Sequence, residues 1–237
     1  MNVITQNDYH YLTCTMNTTI QSPRVFGIGF QKTATSSLGR ALEQLGYRVH
    51  GPFGWTQPDI RKTALKQALT IAASYDAVQD FPWALIYKEL DDAYPGSKFI
   101  LTLRDDEAWF ASMMRHFGVR ATPMRAWAYD GIPYPRGHKR HYIRRYNAHT
   151  KEVCDYFSDR PNDLLIMDIT QGDGWDILCP FLDCTRPDNT FPYANAKKER
   201  RLSRIHRYMQ SPVTSVKKAL QSYCLTAQTF FENRNSH

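Results

Sequence analysis

Arg24-Val25-Phe26-Gly27-Ile28-Gly29-Phe30 runs straight into Gln31-Lys32-Thr33-Ala34-Thr35-Ser36-Ser37 and then into Leu38-Gly39-Arg40-Ala41-Leu42-Glu43-Gln44-Leu45-Gly46-Tyr47. The first part is a short apolar run of the β type. The third places Leu38, Ala41, Leu42 and Leu45 on one face at helical spacing, with Gly46 in the position expected just past a helix end. The middle part is rich in hydroxyls and holds one lysine. A strand that turns into a helix through such a segment aims unpaired N–H groups, hydroxyls and an ammonium at one point, which suits a phosphate or a sulfate. The plainer reading of the same residues is a Ser/Thr-capped helix that follows a lysine.

The alternation continues along the chain. Further strands are expected at residues 47–50, 76–79, 98–103 and 164–169, and helices at 58–74, 82–94, 107–117, 138–158 and 175–182. Residues 118–137 carry Gly118, Pro123, Gly131, Pro133, Pro135 and Gly137, and read as a loop or lid. Strands alternating with helices imply an α/β fold: a doubly wound, mainly parallel sheet flanked by helices. One domain is expected over residues 23–196. A loose polar arm (1–22) precedes it, and a basic extension (197–237) that packs on the same domain follows.

The 237 residues are 42% hydrophobic and 13% aromatic, enough to bury a core, which excludes disordered and collagen-like classes. Thirty Lys+Arg against 23 Asp+Glu give a formal charge of +7. That excess favours an anionic partner without choosing among nucleotide, polyanionic sugar, nucleic acid and membrane surface. Five cysteines with no C-x-x-C pair and no zinc-finger spacing read as free thiols in a reducing compartment. There is no apolar run of about 18 residues and hence no membrane span. The first 23 residues lack the basic and apolar regions of a signal peptide, so a cytoplasmic location is expected.

A Walker-type phosphate loop needs glycine at positions 26 and 31, where Phe26 and Gln31 stand. Only the Lys32-Thr33 pair survives. The segment from Gln31 to Leu38 instead resembles the first loop of the sulfotransferases that use 3′-phosphoadenosine 5′-phosphosulfate (PAPS), x-K-[ST]-G-T-[ST]-x-L. Ala34 stands where that family usually has glycine, and alanine resists a positive φ. A second block is similar to the family's 3′-phosphate site: the run Lys98-Phe99-Ile100-Leu101-Thr102-Leu103 is followed by Arg104, with Ser112 eight residues on. Asp80-Phe81-Pro82-Trp83, Tyr94-Pro95-Gly96-Ser97 and the later segments LLIMDI, GWDILCPFL and FPYAN resemble a branch of the family whose acceptors are largely unassigned. The resemblance covers about residues 24–196.

It implies a P-loop nucleotide-binding-like fold and metal-independent, in-line transfer of a sulfuryl group from PAPS to a hydroxyl or amine, with 3′,5′-bisphosphoadenosine (PAP) as product. In that scheme Lys32 is catalytic. Gln31, Lys32, Thr33, Ala34, Thr35, Ser36 and Ser37 surround the 5′-phosphate, while Arg104 and Ser112 hold the 3′-phosphate. Asp80 stands where cytosolic members carry a histidine general base, although an aspartate there also suits the cap of a helix starting near Pro82. His50 is the second candidate base, with a polar turn residue as its plainer reading.

Phe53, Trp55, Phe81, Trp83, Trp127, Tyr129 and Tyr134 flank this region as pocket lining or as core. Basic clusters at residues 136–145 and 197–207 suit an acidic ligand or a solvated helix face. In the family, a basic C-terminal segment often reaches the 3′-phosphate. The expected partners are PAPS and a small-molecule or saccharide acceptor, with no nucleic acid. Three other readings stay open: a Mg²⁺-dependent P-loop kinase using Asp105 or Asp106, a basic nucleic-acid-binding module, and a sulfotransferase-like scaffold that has lost activity.

Overall fold

In the computed structural model residues 24–193 are described; the expected N-terminal arm and basic C-terminal extension lie outside them. Among the described residues five strands, β1 (Val25–Gly27), β2 (Val49–His50), β3 (Ala77–Gln79), β4 (Lys98–Thr102) and β5 (Leu164–Met167), form one parallel sheet in the order β2-β3-β1-β4-β5. Val25 lies opposite Ala77 on one side and Lys98 on the other, and Gly27 opposite Gln79 and Ile100. The chain therefore winds outward to one side of β1 through β2 and β3, then crosses to the other side for β4 and β5. In such sheets ligands bind outside the carboxyl ends of the strands where the winding reverses. Here that place is the end of β1, between β3 and β4.

Seven α-helices cover the sheet among the described residues: α1 (Thr35–Gln44), α2 (Ile60–Ala72), α3 (Tyr87–Ala93), α4 (Asp106–Phe117), α5 (Pro123–Ala128), α6 (Lys139–Tyr156) and α7 (Trp175–Phe181). Alternate residues of the central strands point to opposite faces. Phe26, Val78, Phe99 and Leu101 pack with Ala64 and Ala68 of α2, Leu90 of α3, Trp109 of α4 and Tyr142 of α6. Val25, Ala77, Ile100 and Met167 pack with Leu38 and Leu42 of α1 and with Trp175 and Leu178 of α7. Helices on both faces make the doubly wound α/β fold expected from the alternation.

Two elements differ from the sequence reading. The helix expected at 82–94 is a 3-10 turn at Trp83–Leu85 followed by α3. Residues 118–137 are not only loop, because they contain α5, whose N-cap Thr122 accepts a hydrogen bond from the Arg125 amide at 3.2 Å and whose first residue is Pro123. A Thr-Pro start is a helix signal in its own right, here overshadowed by the surrounding glycines and prolines.

Candidate active site

The two glycines of the opening segment have separate reasons. A Cβ on Gly29 would lie 1.9 Å from Thr102 Oγ1 and 2.7 Å from the Thr102 carbonyl oxygen, and one on Gly27 would lie 2.8 Å from Gln79 Cβ. Without side chains there, the end of β1 sits close between β4 and β3. The loop that follows has left-handed backbone at Lys32 (φ 70°) and at Ala34 (φ 73°). Ala34 thus adopts the glycine-type conformation despite its Cβ, at a cost of roughly 1–2 kcal/mol. It is also the N-cap residue of α1 and supplies no capping side chain. The Ser37 and Leu38 amides donate to the Ala34 carbonyl at 2.9 and 3.1 Å, while those of Thr35 and Ser36, at the very start of α1, have no intrahelical acceptor, as at helix N-termini that bind anions.

The hydroxyls of this loop do not all face outward. Thr33 is fully buried; its Oγ1 donates to the Phe30 carbonyl oxygen at 2.6 Å and lies 2.6 Å from Thr102 Oγ1, forming the floor of the loop. Ser37 is buried and Ser36 is exposed. Gln31 is buried too: its Nε2 lies 3.2 Å from the Tyr129 hydroxyl, and its carbonyl accepts from Trp109 Nε1 at 2.9 Å. Thr35 Oγ1 donates to Asp80 Oδ2 at 2.8 Å.

Asp80 ends β3 with φ 75°, and its other carboxylate oxygen accepts from the Phe81 amide at 2.7 Å. Burial pushes its pKa up to about 6. The hydrogen bonds from Thr35 and Phe81 and the nearby Lys32 ammonium oppose that rise without cancelling it. Burial likewise lowers the Lys32 pKa; Asp80 raises it, and the charges of Arg104 and Arg115 lower it further. Lys32 and Asp80 therefore sense one another across the mouth of the crevice.

Arg104 follows β4. Its amide donates to, and its carbonyl accepts from, the Tyr146 hydroxyl, both at 2.9 Å, and its Nη1 donates to the Lys32 carbonyl at 3.3 Å. Ser112 is buried on α4. Lys32, Asp80 and Arg104 thus come from the carboxyl ends of three neighbouring strands. Sequence reasoning missed Tyr146, which braces the Arg104 backbone from α6, and Arg115, whose charge reaches Lys32 from one helical turn beyond Ser112. The spacing of Ser112, Arg115 and His116 on one helix face was the available signal.

His50 ends β2, two strands from β1 and roughly 9–10 Å away. Its Nδ1 lies 2.8 Å from the Gly51 carbonyl oxygen, and its ring packs against Phe53, Tyr75 and Trp83. Its contacts run to that aromatic group, while those of Asp80 run to the loop. Tyr129, Phe81 and Trp83 are core, and Trp55 is half-buried beside Phe81. In the first basic cluster Lys139 pairs with Glu107 at 2.7 Å and Arg145 with Glu152 at 3.5 Å; the second lies outside the described residues. Asp105 is the N-cap of α4, accepting from the Ala108 amide at 2.9 Å. Among the described residues no cluster of His, Cys, Asp or Glu is placed to hold a metal ion, and no helix is long and apolar enough to cross a membrane.

Comparison with known proteins adds an independent line. A relative from Aspergillus versicolor, Ava biosynthesis cluster protein M, is 25% identical over 210 residues, covering 72% of this chain and 80% of that protein. The model of the sulfotransferase domain matches residues 24–140 and 124–200, most of the chain and all of the parallel sheet. The chain belongs to the sulfotransferase domain family.

Proposed function

We infer that this sulfotransferase-family chain moves a sulfuryl group from PAPS to a hydroxyl or amine on an acceptor, and that it does so at the crevice between β3, β1 and β4. The convergence of Lys32, Asp80 and Arg104 on neighbouring strand ends carries this reading. The residues present suit a doubly phosphorylated nucleotide. Uncapped amides at the start of α1, bent into place by left-handed Lys32 and Ala34, suit the 5′-phosphate, with Ser36 and Ser37 beside them. Arg104 and Ser112, on the strand end and helix next door, suit the 3′-phosphate.

When bound, PAPS supplies an activated sulfuryl group whose departure builds negative charge on the bridging phosphate oxygen. Lys32 is the cation proposed to neutralise that charge. Asp80 is proposed to take the proton from the acceptor. Its raised pKa keeps it mostly ionised at neutral pH while bringing it close to the working range of a general base. Thr35 and the Phe81 amide hold its two oxygens in place, so in this scheme Thr35 orients the base in addition to bordering the phosphate. His50, turned into its own aromatic group, is the weaker candidate. Asp105, which a magnesium-dependent kinase would recruit, already caps α4.

The test is transfer from sulfur-labelled PAPS to phenol, sugar, steroid and peptide acceptors, alongside PAP titration. Lys32→Ala should lower turnover about a hundredfold or more and change PAP affinity little. Arg104→Ala should weaken PAP binding first, by about tenfold or more. Failure of the wild-type chain to bind PAP would overturn the donor assignment.

A further inference from the structure

Arg104 stands where the sheet runs out. Leu103 still donates to the Met167 carbonyl at 2.7 Å, as a strand residue would, and α4 begins at Asp106. Between them, both backbone polar groups of Arg104 are taken by one side chain. The Tyr146 hydroxyl accepts from its amide and donates to its carbonyl, each at 2.9 Å. A phenol can do both at once. Tyr146 is buried, and that burial raises its pKa, so the proton needed for the second bond stays in place.

The Tyr146 ring stacks on the Trp109 indole, with centroids 4.4 Å apart and planes 13° from parallel. Trp109 is fully buried on α4, and its Nε1 donates to the Gln31 carbonyl at 2.9 Å. Gln31 precedes Lys32, whose carbonyl accepts from Arg104 Nη1 at 3.3 Å. The contacts close a ring: Gln31, Trp109, Tyr146, Arg104, Lys32 and back to Gln31. One side of the ring is the loop at the start of α1, and the other is the residue that follows β4.

Any core carbonyl would satisfy a buried indole N–H or phenol hydroxyl. Other rings of this chain use such partners away from the crevice: Tyr142 donates to the Ile132 carbonyl at 2.9 Å, and Trp175 to that of Asn189 at 3.0 Å. Trp109 and Tyr146 instead direct theirs to the backbone of the two segments assigned above to the two phosphates. Two stacked rings, closed in by a packed core, are stiffer than a loop or a long side chain. A site supported in this way keeps its geometry with no ligand present.

We propose that Trp109 and Tyr146 are positioning residues that fix the spacing between the 5′-phosphate loop and Arg104, Trp109 acting on the loop and Tyr146 on Arg104, and that this spacing makes the crevice prefer a nucleoside 3′,5′-bisphosphate to a 5′-monophosphate. The inference rests on the donor reading above and deepens it. Both side chains act through the backbone from beneath, so neither has to meet the nucleotide.

The experiment is calorimetric titration of PAP and of adenosine 5′-phosphate (AMP) into the full chain, with each variant checked for folding by circular dichroism. Tyr146→Phe should weaken PAP about fivefold or more and leave AMP within about twofold, because only the 3′-phosphate arm is loosened. Trp109→Phe keeps a ring in the stack and loses the bond to Gln31, so PAP and AMP should weaken together, by about three- to tenfold. In the double variant R104A/Y146F, PAP should bind within about twofold of Arg104→Ala alone, since Tyr146 works through Arg104. A residue that merely supports the fold would not give this pattern. PAP and AMP falling in step in Tyr146→Phe, PAP unchanged in that variant, effects that multiply in the double variant, or a Trp109→Phe change confined to PAP each overturn the inference. Each arm has its own readout, so a variant that fails to fold leaves the other to decide. If the wild-type chain binds PAP no better than AMP, or Arg104→Ala keeps the preference, the 3′-phosphate assignment itself falls. A preference lost in Arg104→Ala but kept in Tyr146→Phe defeats the positioning role alone.

Discussion

Asp76 and Asp80 stand at the two ends of one strand, with only Ala77–Gln79 between them, and their environments pull their acidities in opposite directions. Asp76 is at the entrance of β3, on the surface. Arg48 grips it through Nε and Nη2, both at 2.9 Å, and donates its backbone amide as well, which lowers the Asp76 pKa to about 2. Asp80 is at the exit, buried, with two neutral donors and a lysine that does not close on it, and its pKa rises to about 6. The first aspartate is satisfied by its partner. The second is left with capacity to take a proton at the end of the sheet where ligands bind.

The largest expected break is Asp80→Asn. Transfer activity should fall by about 10²–10⁴-fold, the usual contribution of a general base, while the unfolding midpoint at neutral pH stays level or rises because a buried charge has gone. Parallel rate and thermal-unfolding measurements check both halves, and undiminished turnover would remove Asp80 from the mechanism.

The pH dependence sharpens the contrast. Activity should decline as pH falls through about 6, where Asp80 gains its proton. Stability moves the other way. Between the ordinary value of 3.8 and about 6 the folded chain holds the Asp80 proton more tightly than the unfolded chain does, so its contribution is largest below pH 3.8 and is lost as pH rises to about 6. Asp76 has the opposite sign: its contribution is present above pH 3.8 and is lost as pH falls toward about 2. Urea unfolding of wild type and Asp80→Asn across pH 4–7 should converge at the acid end and separate toward neutrality.

A smaller effect is expected at the loop. Ala34→Gly should raise stability by about 1 kcal/mol, because glycine accepts the left-handed backbone without the Cβ penalty. Chemical denaturation measures it, and a loss of stability would show that the Ala34 methyl is needed for packing. The smallest belongs to Asp76→Asn. The pair with Arg48 is largely exposed, so its loss should cost less than about 1 kcal/mol, less still in high salt, with turnover unchanged.

Much of the architecture was legible because it rests on patterns that burial enforces. The apolar run at 98–103, the helical spacing of Leu38, Ala41 and Leu42, and Gly46 past the helix end each appear in the structure where the spacing puts them. The loop's place between a strand and a helix was legible for the same reason. Its interior was legible only in part: the family's usual glycine at the place of Ala34 points to a positive φ there, but nothing about Lys32 as a residue type announces one. Thr33 and Thr35 are alike in sequence, yet one hydroxyl turns to Thr102 and the other to Asp80. The partners lie 69 and 45 residues away, beyond any local pattern. Arg125 escaped notice because a glycine- and proline-rich segment reads as connector, whereas the fold buries its guanidinium over Phe117 and ties it to the Arg120 and Pro133 carbonyls.

The inward-turned hydroxyls of Thr33 and Thr102, wedged where Gly29 leaves no room for a side chain, have a kinetic and entropic meaning. They hold the loop from beneath with no ligand present, so binding the proposed anion there would surrender little chain freedom and keep most of the affinity gained from each new contact.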